Sequence, residues 1–172
     1  MPREYSTSAP SELAAPSDVR PALDETDRHI LRLLERDART PNNALAAAVG
    51  IAPSTCLGRV RLLREAGVIR GFHADVDPAA LGRGLQAMIA VRMQAGARAQ
   101  LTAFAQHAAG RPEVLDVYFV AGANDFLIHV AVRDTATLRA FVVEQLNARP
   151  ELALTETSLI FEHLRAAGTA PS

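Results

Sequence analysis

The stretch from Thr40 to Gly67 constrains this chain more than any other. It reads as two short helices around a tight turn. Thr40 is placed to cap the first helix, with Pro41 at its first helical position, where a missing N–H costs nothing. Leu45, Ala48 and Val49 supply its apolar residues, and Gly50 stands where a left-handed stop is needed. The second helix runs from about Pro53 to Glu65 and ends at Gly67. Cys56, Leu57, Val60 and Leu63 fall on one face; Ser54, Thr55, Gly58, Arg59 and Leu62 lie towards another. This is the layout of a helix-turn-helix, whose second helix enters the major groove of duplex DNA.

The surroundings support that reading. Asp24 can cap a preceding helix whose first turn holds Glu25 and Asp27 and whose apolar stripe is Ile30, Leu31, Leu33 and Leu34, completing a three-helix core. All 18 basic residues of the 172-residue chain are arginines. Although the net charge is -1, the segment from Leu23 to His73 holds eight arginines against six acids. Three of them, Arg59, Arg61 and Arg64, ride on the third helix, where they would meet phosphates. Geometry assigns Arg59 to base reading, Arg61 and Arg64 to phosphate clamping, and Ser54 and Thr55 to phosphate or base-edge contacts at the helix start. Asn42 and Asn43, opening the second helix, are placed to touch the DNA backbone. Two features break local rules. Ala52 occupies the cap position of the third helix, where Ser or Asp would contribute ~1 kcal/mol more. Gly58 sits mid-helix at a cost of up to ~1 kcal/mol relative to Ala.

Beyond Val68 to Asp77, which looks like an extended hinge strand, and a short turn at Pro78 to Leu81, the pattern changes. Gly84 to Met93, Val114 to Ala121, Asp125 to Arg133 and Leu152 to Leu164 read as strands; Gln100 to Ala109 and Thr135 to Ala148 read as helices. The inner stripe of the last helix is Leu138, Phe141, Val142, Gln145 and Leu146. Strand-helix-strand-strand-helix-strand is the split βαβ, or ferredoxin-like, arrangement, with both helices on one face of an antiparallel sheet. The strands look apolar on the other face as well, and the chain has no helix left to cover it. A second copy is the economical cover, so a sheet-to-sheet homodimer is expected.

The fold class is therefore α+β. A three-helix helix-turn-helix domain (23–70) is joined by a hinge strand (71–83) to a ferredoxin-like βαββαβ domain (84–165), with tails at 1–22 and 166–172. No run is apolar and long enough for a membrane span, the N-terminus has no apolar signal core, and a single cysteine fits a reducing cytoplasm. Cys56 is expected to pack as a small buried hydrophobe.

Leu23 to Leu34, Ala52 to Leu63 and Gly67 to Phe72, taken with Val120-Ala-Gly-Ala-Asn-Asp-Phe126, resemble the Lrp/AsnC, or feast/famine, transcription regulators. The resemblance spans about 23–165. It implies dimers, often assembled into octamers, that bind promoter DNA, with small molecules, usually amino acids, bound between dimers to shift assembly or DNA affinity. Carried over by position, the effector loop is Gly122, Ala123, Asn124 and Asp125, and the threonine-bearing last strand contributes Thr155 and Thr157. Asp125 could accept an ammonium group, while backbone N–H groups or threonine hydroxyls hold a carboxylate. Ala123 departs from the family pattern, which commonly has Asp there, so one acidic contact is missing. Without the resemblance, 122–125 reads as a plain hairpin turn.

Two rivals remain at this level. One is a small ferredoxin-like enzyme, the other a ligand-binding protein whose helix-turn-helix is vestigial. The enzyme has little chemistry to draw on. His29, His73, His107, His129 and His163 lack metal-like spacing, no nucleophile–base pairing stands out, and no cofactor or metal is expected.

Overall fold

The computed structural model describes residues 22–164; the expected tails, apart from Ala22, lie outside them. These residues form two compact units, 22–75 and Val76–His163.

The first unit contains α1 (Glu25–Arg36), α2 (Asn42–Val49) and α3 (Pro53–Glu65). Asp24 caps α1 in a reciprocal box: its carboxylate accepts from the Asp27 N–H at 2.8 Å, and the Asp27 carboxylate accepts from the Asp24 N–H at 3.3 Å. The core is Ile30, Leu34, Leu45, Ala46, Cys56 and Leu63. Cys56 is fully buried, and desolvation pushes its thiol pKa up. Gly50 ends α2 at φ +73°, a conformation that costs an L-residue its Cβ clearance.

The start of α2 differs from expectation by one residue. Pro41, not Thr40, is the cap residue, and the Thr40 hydroxyl donates instead to the Asp37 carbonyl at 2.8 Å. That bond closes the α1–α2 turn, so the hydroxyl no longer serves as a cap. Ala46 rather than Ala48 joins Leu45 in the core, and Leu57 lies outside it.

The second unit contains β1 (Leu85–Met93), α4 (Leu101–Ala109), β2 (Val114–Phe119), β3 (Phe126–Val132), α5 (Thr135–Phe141) and β4 (Leu152–Ile160). The sheet is antiparallel in the order β2-β3-β1-β4, the ferredoxin-like topology. Ala87, Ile89, Val91 and Met93 of β1 and Phe126, Ile128, Val130 and Val132 of β3 face α4 and α5, where Phe104, Ala108, Leu138 and Phe141 complete the core. The expected single helix 135–148 changes winding: a π-helical turn, Val142–Asn147, follows α5. Wider winding puts the residue five on from Phe141 back on the buried side, so Leu146 is buried while Gln145 is half-exposed.

The expected hinge strand does not form among the described residues: 70–77 lacks a ladder, and the turn Ala79–Leu81 precedes β1. Backbone extension alone makes no strand; it needs a neighbour to exchange hydrogen bonds with.

The uncovered sheet face is less apolar than expected. Tyr118, Leu127, Met88, Ala90 and Leu154 are interrupted by a polar bridge. His129 lies between Asp116 (Nδ1 to Oδ2, 3.4 Å) and Gln86 (Nε2 to Oε1, 3.0 Å), with the His163 ring edge-on at 6.2 Å. Arg92, Glu156 and Ser158 lie on the same face by the strand register.

Candidate nucleic-acid interface and ligand loop

The helix-turn-helix is tied together by its first asparagine. Asn42 Nδ2 donates to the Pro53 carbonyl at 2.8 Å, fixing the start of α2 against the start of α3. Asn42 therefore serves the fold, while Asn43 is exposed. On α3, Cys56 and Leu63 point inward and Val60 is half-buried; Ser54, Thr55, Leu57, Gly58, Arg61 and Arg64 are exposed. Ala52 provides no side-chain cap, so the Ser54 and Thr55 N–H groups face outward from the helix start without one.

The three arginines divide differently from the expectation. Arg59 Nη1 donates to Asp24 Oδ2 at 2.7 Å and to Asp27 Oδ1 at 2.8 Å, and its side chain is only 31% exposed. Donating to the Asp27 carboxylate and then to that of Asp24 raises the guanidinium pKa further. The Asp24 carboxyl is lowered first by the Asp27 N–H and then by Arg59. A guanidinium engaged by two carboxylates of its own domain is poorly placed to read a base. It ties the recognition helix to the capping box of α1. The sequence shows the two acids and the arginine but not that they meet. Arg61 is 79% exposed and pairs with Glu65 one turn on, Nε to Oε1 at 2.7 Å. Arg64 is exposed, with its guanidinium carbon 6.0 Å from the Phe72 ring centre.

In the second unit, the loop Gly122–Asp125 joins β2 to β3. Gly122 takes φ +140°, and Gly122 and Ala123 are exposed. Asp125 does not present its whole carboxylate to solvent. Its Oδ2 accepts from the Met93 N–H at 2.8 Å, and its own N–H donates to the Val91 carbonyl at 2.9 Å. The side chain thus pins the end of β1, beside the register shift at Arg92/Met93. Arg92 was missed by sequence reasoning, although it is the one charge in an otherwise uncharged strand; its Nε donates to the Ala123 carbonyl at 2.6 Å and braces the loop.

Val91 pairs with Thr155 on one side and Phe126 on the other, so the loop and Thr155 sit at the same level, separated by β1. Two strand spacings put them about 10 Å apart. Thr155 Oγ1 donates to Asn147 Oδ1 at 2.8 Å, beside a shallow hollow formed with Leu152 and Leu154. Thr157 is exposed one pair further along β4.

Residues 23–70 match the family model for a winged helix-turn-helix DNA-binding domain, and 86–168 match that for the Lrp/AsnC ligand binding domain. The HTH-type transcriptional regulator AldR of Mycobacterium tuberculosis is 60% identical over 98% of this chain and 94% of its own length. The chain belongs to the Lrp/AsnC family. The leucine-responsive regulatory protein of Rhizobium meliloti, another Lrp/AsnC relative, is 40% identical over 87% of this chain and 96% of its own. Among solved structures, that of M. tuberculosis AldR has a TM-score of 0.73 at 57% identity, covering 86% of this chain and 100% of that one. A Neisseria meningitidis regulator in complex with L-Met has a TM-score of 0.76 at 30% identity, covering 87% and 97%.

Proposed function

We propose that this Lrp/AsnC chain binds promoter DNA through the exposed face of α3 and adjusts that binding to a small effector, an amino acid. The observation that carries the reading is the two-sidedness of α3. Cys56 and Leu63 hold one side in the core, and Ser54, Thr55, Arg61 and Arg64 stand exposed on the rest. Ser54 and Thr55, whose N–H groups have no capping side chain, can take a phosphate oxygen, and Arg61 and Arg64 supply charge. Arg59 acts indirectly, by holding α3 against α1. Asn43 is placed for the DNA backbone, with Asn42 fixing the helix start.

The effector reading rests on the ligand-binding match and on the relative solved with L-Met. The loop backbone at Gly122, Ala123 and Asn124, braced by Arg92, and the hydroxyls of Thr155 and Thr157 are the groups to hold an amino acid. Asp125 contributes by fixing the loop, and Ala123 removes one acidic contact. The assembly is a homodimer through the uncovered sheet face, where Tyr118, Met88 and Leu154 offer apolar contact, with octamers as its further product. Two α3 helices in a dimer would meet half-sites one helical turn, or a multiple, apart. Effector binding favours one assembly state and so changes occupancy.

Gel-shift titration against DNA upstream of the chain's own gene, at several salt concentrations, tests the first half. Absent or salt-insensitive binding overturns it. Light scattering and thermal shift with a panel of amino acids test the second; no change in assembly, melting or DNA affinity with any of them overturns it.

A further inference from the structure

The outward ridge of α3 carries an aliphatic side chain on its border towards half-buried Val60. Leu57 is 61% exposed, one turn after Ser54 and one turn before Arg61, with Gly58 beside it. At 3.6 residues per turn these four positions fall within one narrow arc, opposite buried Cys56 and Leu63. The other exposed leucine of the helix, Leu62, lies about 140° around it by the same winding and borders a groove with Leu23 and Arg59 beside α1. Leu57 is therefore the one large apolar group on the ridge itself. A Cβ built at Gly58 would meet nothing within 4 Å, and Gly58 also lines the groove beside Leu62, so the ridge is low on the side away from Leu57.

Among the features that base pairs display in the major groove, all but one are polar donors or acceptors. The exception is the C5-methyl of thymine. Hydroxyls and guanidinium groups can serve the polar features; an exposed leucine has no partner there except that methyl. We propose that Leu57 packs on a thymine methyl in each half-site and sets specificity at that position. The inference rests on the DNA-binding reading above.

The test uses the full chain and a random-sequence duplex library. Duplexes retained after repeated selection are resynthesised with deoxyuridine in place of single thymines, which removes only the methyl group. Dissociation constants are read by fluorescence anisotropy at fixed salt. One thymine per half-site should prove sensitive, its methyl loss weakening binding about fourfold, the worth of one buried methyl. Leu57→Ala, an exposed change with melting expected to be unchanged, should bind thymine and deoxyuridine duplexes equally. Wild-type protein indifferent to every deoxyuridine overturns the inference while leaving DNA binding intact. So does Leu57→Ala that still discriminates. A library from which nothing is enriched overturns both. Should Leu57→Ala fail to fold, Leu57→Gln, which keeps the side chain's length and removes its apolar end, takes its place in the same comparison.

Discussion

The lone cysteine makes the DNA-binding unit report on its own stability. Cys56 is fully buried and packs in the same cluster as Ile30. A thiol reagent therefore reaches it only when that unit opens, and the labelling rate is the opening constant times the rate for a free thiol. Ile30 is 0% exposed, and truncating a buried Ile to Ala costs 2–5 kcal/mol, of which about 3 kcal/mol is a central value. A unit of this size has roughly 3–8 kcal/mol to lose. Ile30→Ala should then raise the labelling rate about 150-fold, and Ile30→Val, at about 1 kcal/mol, about fivefold. Leu62→Ala, on an exposed position, should stay within about twofold. The assay is reaction with a chromogenic disulfide under conditions where the rate is proportional to reagent concentration. Equal rates for wild type and Ile30→Ala would refute the packing argument. A Leu62→Ala rate as fast as that of Ile30→Ala would show that opening is not governed by this core.

Four other outcomes are expected. Arg61→Ala and Arg64→Ala should each lower the slope of log K against log salt by about 0.9 for every phosphate left unneutralised, measured by anisotropy titration. Asp27→Ala, on α1, should weaken DNA binding several-fold with little change in that slope. Combined with Arg59→Ala it should be little worse than the worse single variant, because the two share one ion pair. Gly50→Ala should destabilise the first unit by about 1 kcal/mol in urea unfolding. Nothing lies near a Cβ there, and the left-handed conformation alone carries the cost. Asp134 caps α5; its carboxyl is held down from 3.8 to about 2 by the Thr137 N–H, then the Thr137 hydroxyl, then Arg133. Its folded value lies below its unfolded one, so its contribution is complete above about pH 4 and fades as pH falls through about 2. An acid titration followed by circular dichroism should lose part of that limb in Asp134→Asn.

Local chemistry was legible in the sequence wherever one residue type has one good reason to be present. The Asp24 cap of α1, the left-handed Gly50, the buried Cys56 and the limits of α3 all follow from such signals. What depended on two distant segments was not. Asp27 and Arg59 are 32 positions apart, and only the fold shows their ion pair. The resemblance offered Asp125 as an acceptor for an ammonium group, and nothing in the sequence announces that its carboxylate also accepts from the Met93 N–H at a register shift. Periodicity put Leu57 inward because it sits one step from Cys56, at the margin of the buried arc. The sheet face read as apolar because the bridge through His129 takes its three members from three strands.

One feature of the second unit bears on how the chain avoids clumping. β4 lies at the edge of the sheet and runs for nine residues, Leu152–Ile160, with Glu156 as its one charge. Sheet edges are commonly guarded by lysine, whose long cationic arm discourages a stray strand from adding on. This protein has no lysine at all, so the guard falls to a single carboxylate at the middle of an otherwise uncharged edge. Glu156 is thus the one charged side chain that this edge sets against the addition of a stray strand.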